Sequence, residues 1–175
     1  MKTLHFQSVF VGGCGTAAGP MEAQGPLKDK IDKLFDDIYC EEKTYEQAER
    51  RLMSEACDHA LRAQGCKTSD LDLILGGDLL NQLGTSHYFA RDLEIPFIGL
   101  YGACSNSTLI AANAAMWIDS GHAERVLGLT SSHNATAERQ FRYPNEYGVQ
   151  KPETTTYTVT GAGAMIFQHE KTPIR

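Results

Sequence analysis

One cysteine stands where a cysteine can do chemistry. In Tyr101-Gly102-Ala103-Cys104-Ser105-Asn106-Ser107 an apolar run, 96–101, turns through small residues into an alanine-rich stretch, with Cys104 at the join. A helix start presents backbone N–H groups without intrahelical partners and a partial positive charge, which favour a thiolate and can hold an oxyanion. Cys104 is therefore a candidate nucleophile or ligand contact. The other reading is a small residue packed under a tight turn, because free cysteines are among the most buried side chains.

Asp78 follows a second apolar run, 71–76, and Gly76-Gly77. A carboxylate there can pair with a protonated ligand group, or cap a helix beginning near Leu79. Ser131, Ser132 and His133 follow a further apolar run, 125–130. They bring two hydroxyls and an imidazole, either for ligand contact or to satisfy backbone groups of the loop. A hydrolase triad is not indicated, since no G-x-S-x-G elbow is present. Arg139, Arg142 and Lys151 form a basic cluster interleaved with Phe141, Tyr143 and Tyr147. A guanidinium fork such as that of Arg142 suits a carboxylate, and the rings suit a planar ligand; pairing with Glu138 and Glu146 is the alternative. Gly12, Gly13, Gly15 and Gly19 lack the G-x-G-x-x-G or Lys-Ser/Thr context of a phosphate cradle.

These groups need a scaffold. Residues 4–12 read as a strand, followed by a glycine-rich loop from Gly12 to Gly19. Ile31, Leu34, Phe35 and Ile38 share one face of a short helix within 25–43, and Tyr45, Ala48, Leu52, Ala56 and Ala60 mark a longer one over 44–63, stopped by Gly65. The runs 71–76, 96–101, 125–130 and 156–168 read as buried strands, and 81–93 and 105–119 as helices, the last ended by Gly121. The segment 134–155, with Pro144 and Pro152, reads as one long irregular loop of the kind that often carries function.

The order implies an α/β fold: a five-stranded, mostly parallel mixed sheet flanked by helices. Ligand-facing residues then collect at the carboxyl ends of the strands, with Cys104, Asp78 and Ser132 in one cleft.

The chain has 175 residues, 42% of them hydrophobic, enough for one domain with a substantial core. Sixteen basic against 22 acidic residues, a net charge of −6, leave no stripe for nucleic acid, which is excluded as a partner. The five cysteines lack a C-x-x-C pair, so neither a disulfide framework nor a zinc site is signalled, and reduced thiols in a cytosolic setting are expected. No cofactor is called for. No signal peptide or membrane-spanning run is read in the sequence.

Four blocks carry a family resemblance: Gly15 to Pro20 (GTAAGP), Gly77 to Gln82 (GDLLNQ), Tyr101 to Ser105 (YGACS) and Thr130 to Pro144 (TSSHNATAERQFRYP). It continues through Gln150 to Pro152 and Thr158 to Gly163. In these the chain resembles the stage V sporulation protein AD family, thiolase-like relatives of ketoacyl-acyl-carrier-protein synthase III. The resemblance implies a fold of two similar halves, residues 1–175 being the amino-terminal one. It implies binding of dipicolinic acid (pyridine-2,6-dicarboxylic acid) by Asp78, Cys104, Ser131, Ser132, His133 and Arg142. The partners it implies are membrane subunits of a spore channel complex, reached peripherally from the cytoplasmic side of the spore inner membrane, and a second copy paired around 96–101.

The alternatives are a condensing enzyme using Cys104 and a non-catalytic interaction subunit. The histidine and its His or Asn partner of condensing relatives belong to the second half and have no matching positions here. Without that half, Leu109, Ile110, Met116 and Trp117 are expected to lose part of their cover.

Overall fold

The helix 45–64 is the clearest case of sequence dictating structure. In the computed structural model, which describes residues 3–80, 83–141 and 157–170, it forms as α1 (Tyr45–Gln64). Thr44 caps it by accepting from the Gln47 N–H at 3.2 Å, and Gly65 ends it in the left-handed region at φ 74°. Its buried stripe includes Ala48, Leu52, Met53, Ala56 and Ala60.

The chain continues as β1 (Phe10–Ala18), β2 (Lys33–Leu34), α1, β3 (Leu73–Asp78), α2 (Gly84–Arg91), β4 (Phe97–Gly99), α3 (Asn106–Asp119), β5 (Arg125–Ser132), α4 (Asn134–Phe141) and β6 (Gly161–Gln168). The strands form one sheet in the order β2-β1-β6-β5-β3-β4. Only β6 runs antiparallel to its neighbours, β1 and β5; the pairs β1–β2, β3–β5 and β3–β4 are parallel.

Helices cover both faces. On one, Leu52, Met53, Ala56 and Ala60 of α1 pack on Ile74, Leu127, Leu129 and Ile166. On the other, Ile110, Ala114 and Ile118 of α3 pack on Leu73, Leu75, Val126 and Phe167. The pleat explains the division, since alternate residues of β3 and β5 serve opposite cores.

The α/β class and the mostly parallel mixed sheet are as expected, but the sheet has six strands. The additional one, β2, pairs with the carboxyl end of β1 through Lys33 and Leu34. It lies where a short helix was expected; 25–43 instead contains a 3-10 turn at Lys28–Lys30 followed by this strand.

The first strand also differs. It begins at Phe10 and runs through the glycines read as a loop. Those glycines let α1 lie against the strand: a Cβ on Gly13 would come within 2.1 Å of the Ala60 carbonyl oxygen, and one on Gly15 within 2.1 Å of that of Ala56.

The expected irregular segment opens as a helix, α4, while 142–156 lies outside the described residues. Ile110 is 1% exposed, against the expectation that it would lose cover, whereas Met116 is 44% exposed.

Candidate functional site

Parallel pairing brings the carboxyl ends of β3 and β5 to one rim, with Asp78 opposite Ser131 in register. From the end of β4 the chain passes through a 3-10 turn, Ala103–Ser105, into α3. The carboxyl end of β1 and the amino end of β6 reach the same rim, because β6 is antiparallel to both β1 and β5. Between these elements lies a cavity of about 780 Å³. Cys104, Asn106, Glu22 and Thr130 are among its lining residues, and the described lining contains no Lys, Arg or His.

Cys104 is exposed and opens on this cavity, one residue before the Ser105 cap of α3. Ala103 before it is held at φ 46°, a left-handed conformation uncommon for a residue with a Cβ. Ser105 Oγ donates to the Gly102 carbonyl at 2.7 Å and closes the turn. Gly77 permits the close approach of this loop: a Cβ there would meet the Leu100 carbonyl oxygen at 2.0 Å and Asn106 Nδ2 at 2.4 Å.

Burial, reinforced by nearby acidic side chains, pushes Cys40 and Cys57 up to about 12. Burial also raises Cys14 and Cys66.

Asp78 and Ser131 reach the cavity floor, but their polar atoms are engaged beneath the sheet. Asp78 is fully buried. Its Oδ2 accepts from the Ser86 N–H (2.9 Å) and hydroxyl (2.7 Å), and its Oδ1 from the Leu80 N–H (3.1 Å). Asp78 thus caps α2 from a distance, which α2 needs because its own N-cap, Leu83, offers no side-chain acceptor. The helix expected from near Leu79 begins at Gly84.

Ser131 Oγ donates to Glu49 Oε1 at 2.9 Å. Thr136 Oγ1 lies 3.3 Å from Glu49 Oε2, with the Thr85 hydroxyl at 3.5 Å. Burial pushes the Glu49 carboxyl up to about 7; the Ser131 hydrogen bond opposes this and the Asp78 charge adds to it.

His133 is 1% exposed and does not line the cavity. Its Nδ1 accepts from the Ala135 N–H (3.1 Å), so Nε2 bears the proton and donates to the Ile38 carbonyl (2.7 Å). Its ring lies 5.1 Å from that of Tyr45. Ser132 is on the Cys104 side, its hydroxyl donating to the Val159 carbonyl at 2.6 Å.

The sheet therefore sorts the expected residues. Cys104 and Ser132 lie on the α3 side, while the side chains of Asp78, Ser131 and His133 tie down the opposite one. Arg142 and Lys151 lie outside the described residues; Arg139 belongs to α4.

Three residues not singled out in the sequence shape this region. Glu49 carried a signal, a carboxylate on the apolar stripe of α1 between Ala48 and Leu52. Glu22 accepts from the Thr160 N–H through Oε1 at 3.1 Å, while its buried Oε2 has no partner. Asn106 is 3% exposed, and neither its Oδ1 nor its Nδ2 has a partner. Neither residue has a sequence signature, since both matter through where the chain folds. Among the described residues no cluster of three or more His, Cys, Asp or Glu side chains could hold a metal ion.

Residues 1–175 match the family described as Stage V sporulation protein AD. Stage V sporulation protein AD of Bacillus subtilis (strain 168) is 54% identical over 158 residues, 90% of this chain and 47% of that protein. The chain thus spans about half the length of this relative. Among solved structures, 3-oxoacyl-[acyl-carrier-protein] synthase III from Aquifex aeolicus VF5 superposes with a TM-score of 0.65 at 18% identity, over 94% of this chain and 55% of that one. A fungal type III polyketide synthase gives 0.65 at 14%, over 93% and 56%. A variant of Xanthomonas campestris OleA gives 0.63 at 14%, over 96% and 60%. At such identities these likenesses show the fold alone.

Proposed function

Because the chain belongs to the stage V sporulation protein AD family, we propose that its cavity binds dipicolinic acid for delivery to the developing spore, and that Cys104 acts there as a contact. One observation carries this reading. The cavity holds an accessible thiol just before α3 and, on Asn106 and Glu22, buried hydrogen-bonding groups without partners.

A planar diacid needs donors in its plane. The start of α3 offers a favourable dipole, and Asn106 offers a side-chain amide. The positive charge that the described lining lacks is assigned to Arg142.

The proposed partners are membrane subunits of a spore channel complex, met from the cytoplasmic side, and a second copy of the chain. For the latter, β4 forms the end of the described sheet, with Ile98 36% and Tyr101 40% exposed beside it. Among the described residues no helix is long and apolar enough to cross a membrane.

Acyl transfer through Cys104 is the second reading, favoured by the left-handed Ala103, since strained backbone often marks a reactive position. Titration calorimetry with dipicolinate, run beside a thioester-turnover assay on wild type and Cys104→Ala, separates the two. Saturable binding without Cys104-dependent turnover supports the first reading; turnover without binding replaces it with the second.

A further inference from the structure

The amide of Asn106 is the most conspicuous unspent group in the molecule. It sits on the first residue of α3, 3% exposed, on the wall of the cavity that Cys104 opens on. Both Oδ1 and Nδ2 lack a partner, although buried amide groups are nearly always paired. The amide lies close over β3: a Cβ on Gly77 would come within 2.4 Å of Nδ2. Within this cavity Glu22 Oε2 is a further unpaired acceptor.

These unpaired atoms constrain what can meet them. An asparagine amide is a donor and an acceptor side by side. A carboxylate satisfies Nδ2 but brings no hydrogen for Oδ1. A neutral carboxylic acid or a primary carboxamide carries both functions in one plane and closes a ring of two hydrogen bonds with asparagine.

We propose that Asn106 is the specificity-determining residue of the cavity and reads one end of a planar ligand as a neutral carboxyl or carboxamide. Resting on the dipicolinate reading above, this means that the site takes dipicolinic acid with one carboxyl protonated and only the other charged. The selection is physical: a ligand lacking the hydrogen leaves Oδ1 buried and unpaired, whereas one that supplies it removes that penalty.

The test compares three probes by calorimetry at neutral pH on the full-length protein: dipicolinate, its monoamide 6-carbamoylpyridine-2-carboxylate, and picolinate, which has no second group. Wild type is expected to bind the monoamide about tenfold or more tightly than picolinate and at least as tightly as dipicolinate, the discrimination expected when a buried polar group is left unpaired. Asn106→Leu should erase the preference among the three. Asn106→Asp, nearly isosteric, keeps an acceptor but loses the Nδ2 donor, and should weaken the monoamide and dipicolinate alike relative to picolinate.

Wild type preferring dipicolinate to the monoamide by about tenfold overturns the proposal. So does an unchanged order of the three in folded Asn106 variants, while dipicolinate binding itself survives. Failure of wild type to bind any of the three sinks the dipicolinate reading, and this proposal with it. The wild-type series needs no variant, so a misfolded substitution leaves it decisive.

Discussion

Ser131 Oγ on β5 donates to Glu49 Oε1 in the middle of α1 at 2.9 Å, joining the floor of the cavity to the helix beneath it. The bond lies in the interior, with Ser131 8% and Glu49 0% exposed. It holds a carboxyl that water cannot reach.

That carboxyl makes stability depend on pH. Its value is raised from 4.5 to about 7, chiefly by burial. Between these values the unfolded chain has released the proton and the folded chain keeps it, so stability falls as pH rises through this window and levels off above it. Glu49→Gln keeps an acceptor for Ser131 and removes the titration. It should stabilise the protein by about 1–3 kcal/mol at pH 8, with the gain shrinking toward pH 5. Urea unfolding at the two pH values checks this, and equal gains at both would remove Glu49 as the source.

Asp78 should act mainly on stability. Asp78→Ala removes acceptors from the Leu80 and Ser86 N–H groups and leaves α2 without its cap, at a cost of about 1–2 kcal/mol. Amide hydrogen exchange over Gly84–Arg91 should accelerate more than over Tyr45–Gln64. If α2 stays as protected as in wild type, the capping assignment fails.

Two glycines on the rim should respond oppositely to one added methyl. Gly77→Ala drives a Cβ into the Leu100 carbonyl and the Asn106 amide, whereas at Gly163 nothing lies within 4 Å. Gly77→Ala should cost about 2 kcal/mol or more and weaken ligand binding, and Gly163→Ala should stay within about 0.5 kcal/mol of wild type. Thermal melts distinguish them; equal melting temperatures for the two variants would contradict the packing described.

Thiol labelling should follow exposure. Cys40 and Cys57 are 0% and 2% exposed and raised to about 12, so an alkylating reagent at pH 8 should spare them while modifying Cys104. Saturating dipicolinate should slow labelling at Cys104 and leave Cys14 unchanged, since Cys14 is not part of the cavity lining. Peptide mass spectrometry reads both. Labelling of Cys104 at the same rate with and without dipicolinate would count against its role as a contact.

Local pattern determined much of this protein. The apolar stripe from Ala48 to Ala60, with Thr44 and Gly65 at its ends, specifies α1 because capping and 3.6-residue periodicity are short-range effects. The runs before Asp78, Cys104 and Ser131 specify parallel strands whose carboxyl ends meet, so the neighbourhood of Cys104 was legible in the sequence.

What tertiary structure alone decided is which way each group faces and what it meets. Glycines at 13 and 15 look like a loop until α1 lies on them, because the reason for a missing side chain is a neighbour more than forty positions away. Asp78 and Ser131 share the rim with Cys104, yet pleating turns their polar atoms to the other side, where Ser86 and Glu49 take them up. In the sequence Asn106 was one polar residue two positions after Cys104. Only packing, by burying its amide over Gly77 without a partner, turned it into the group with most left to bind.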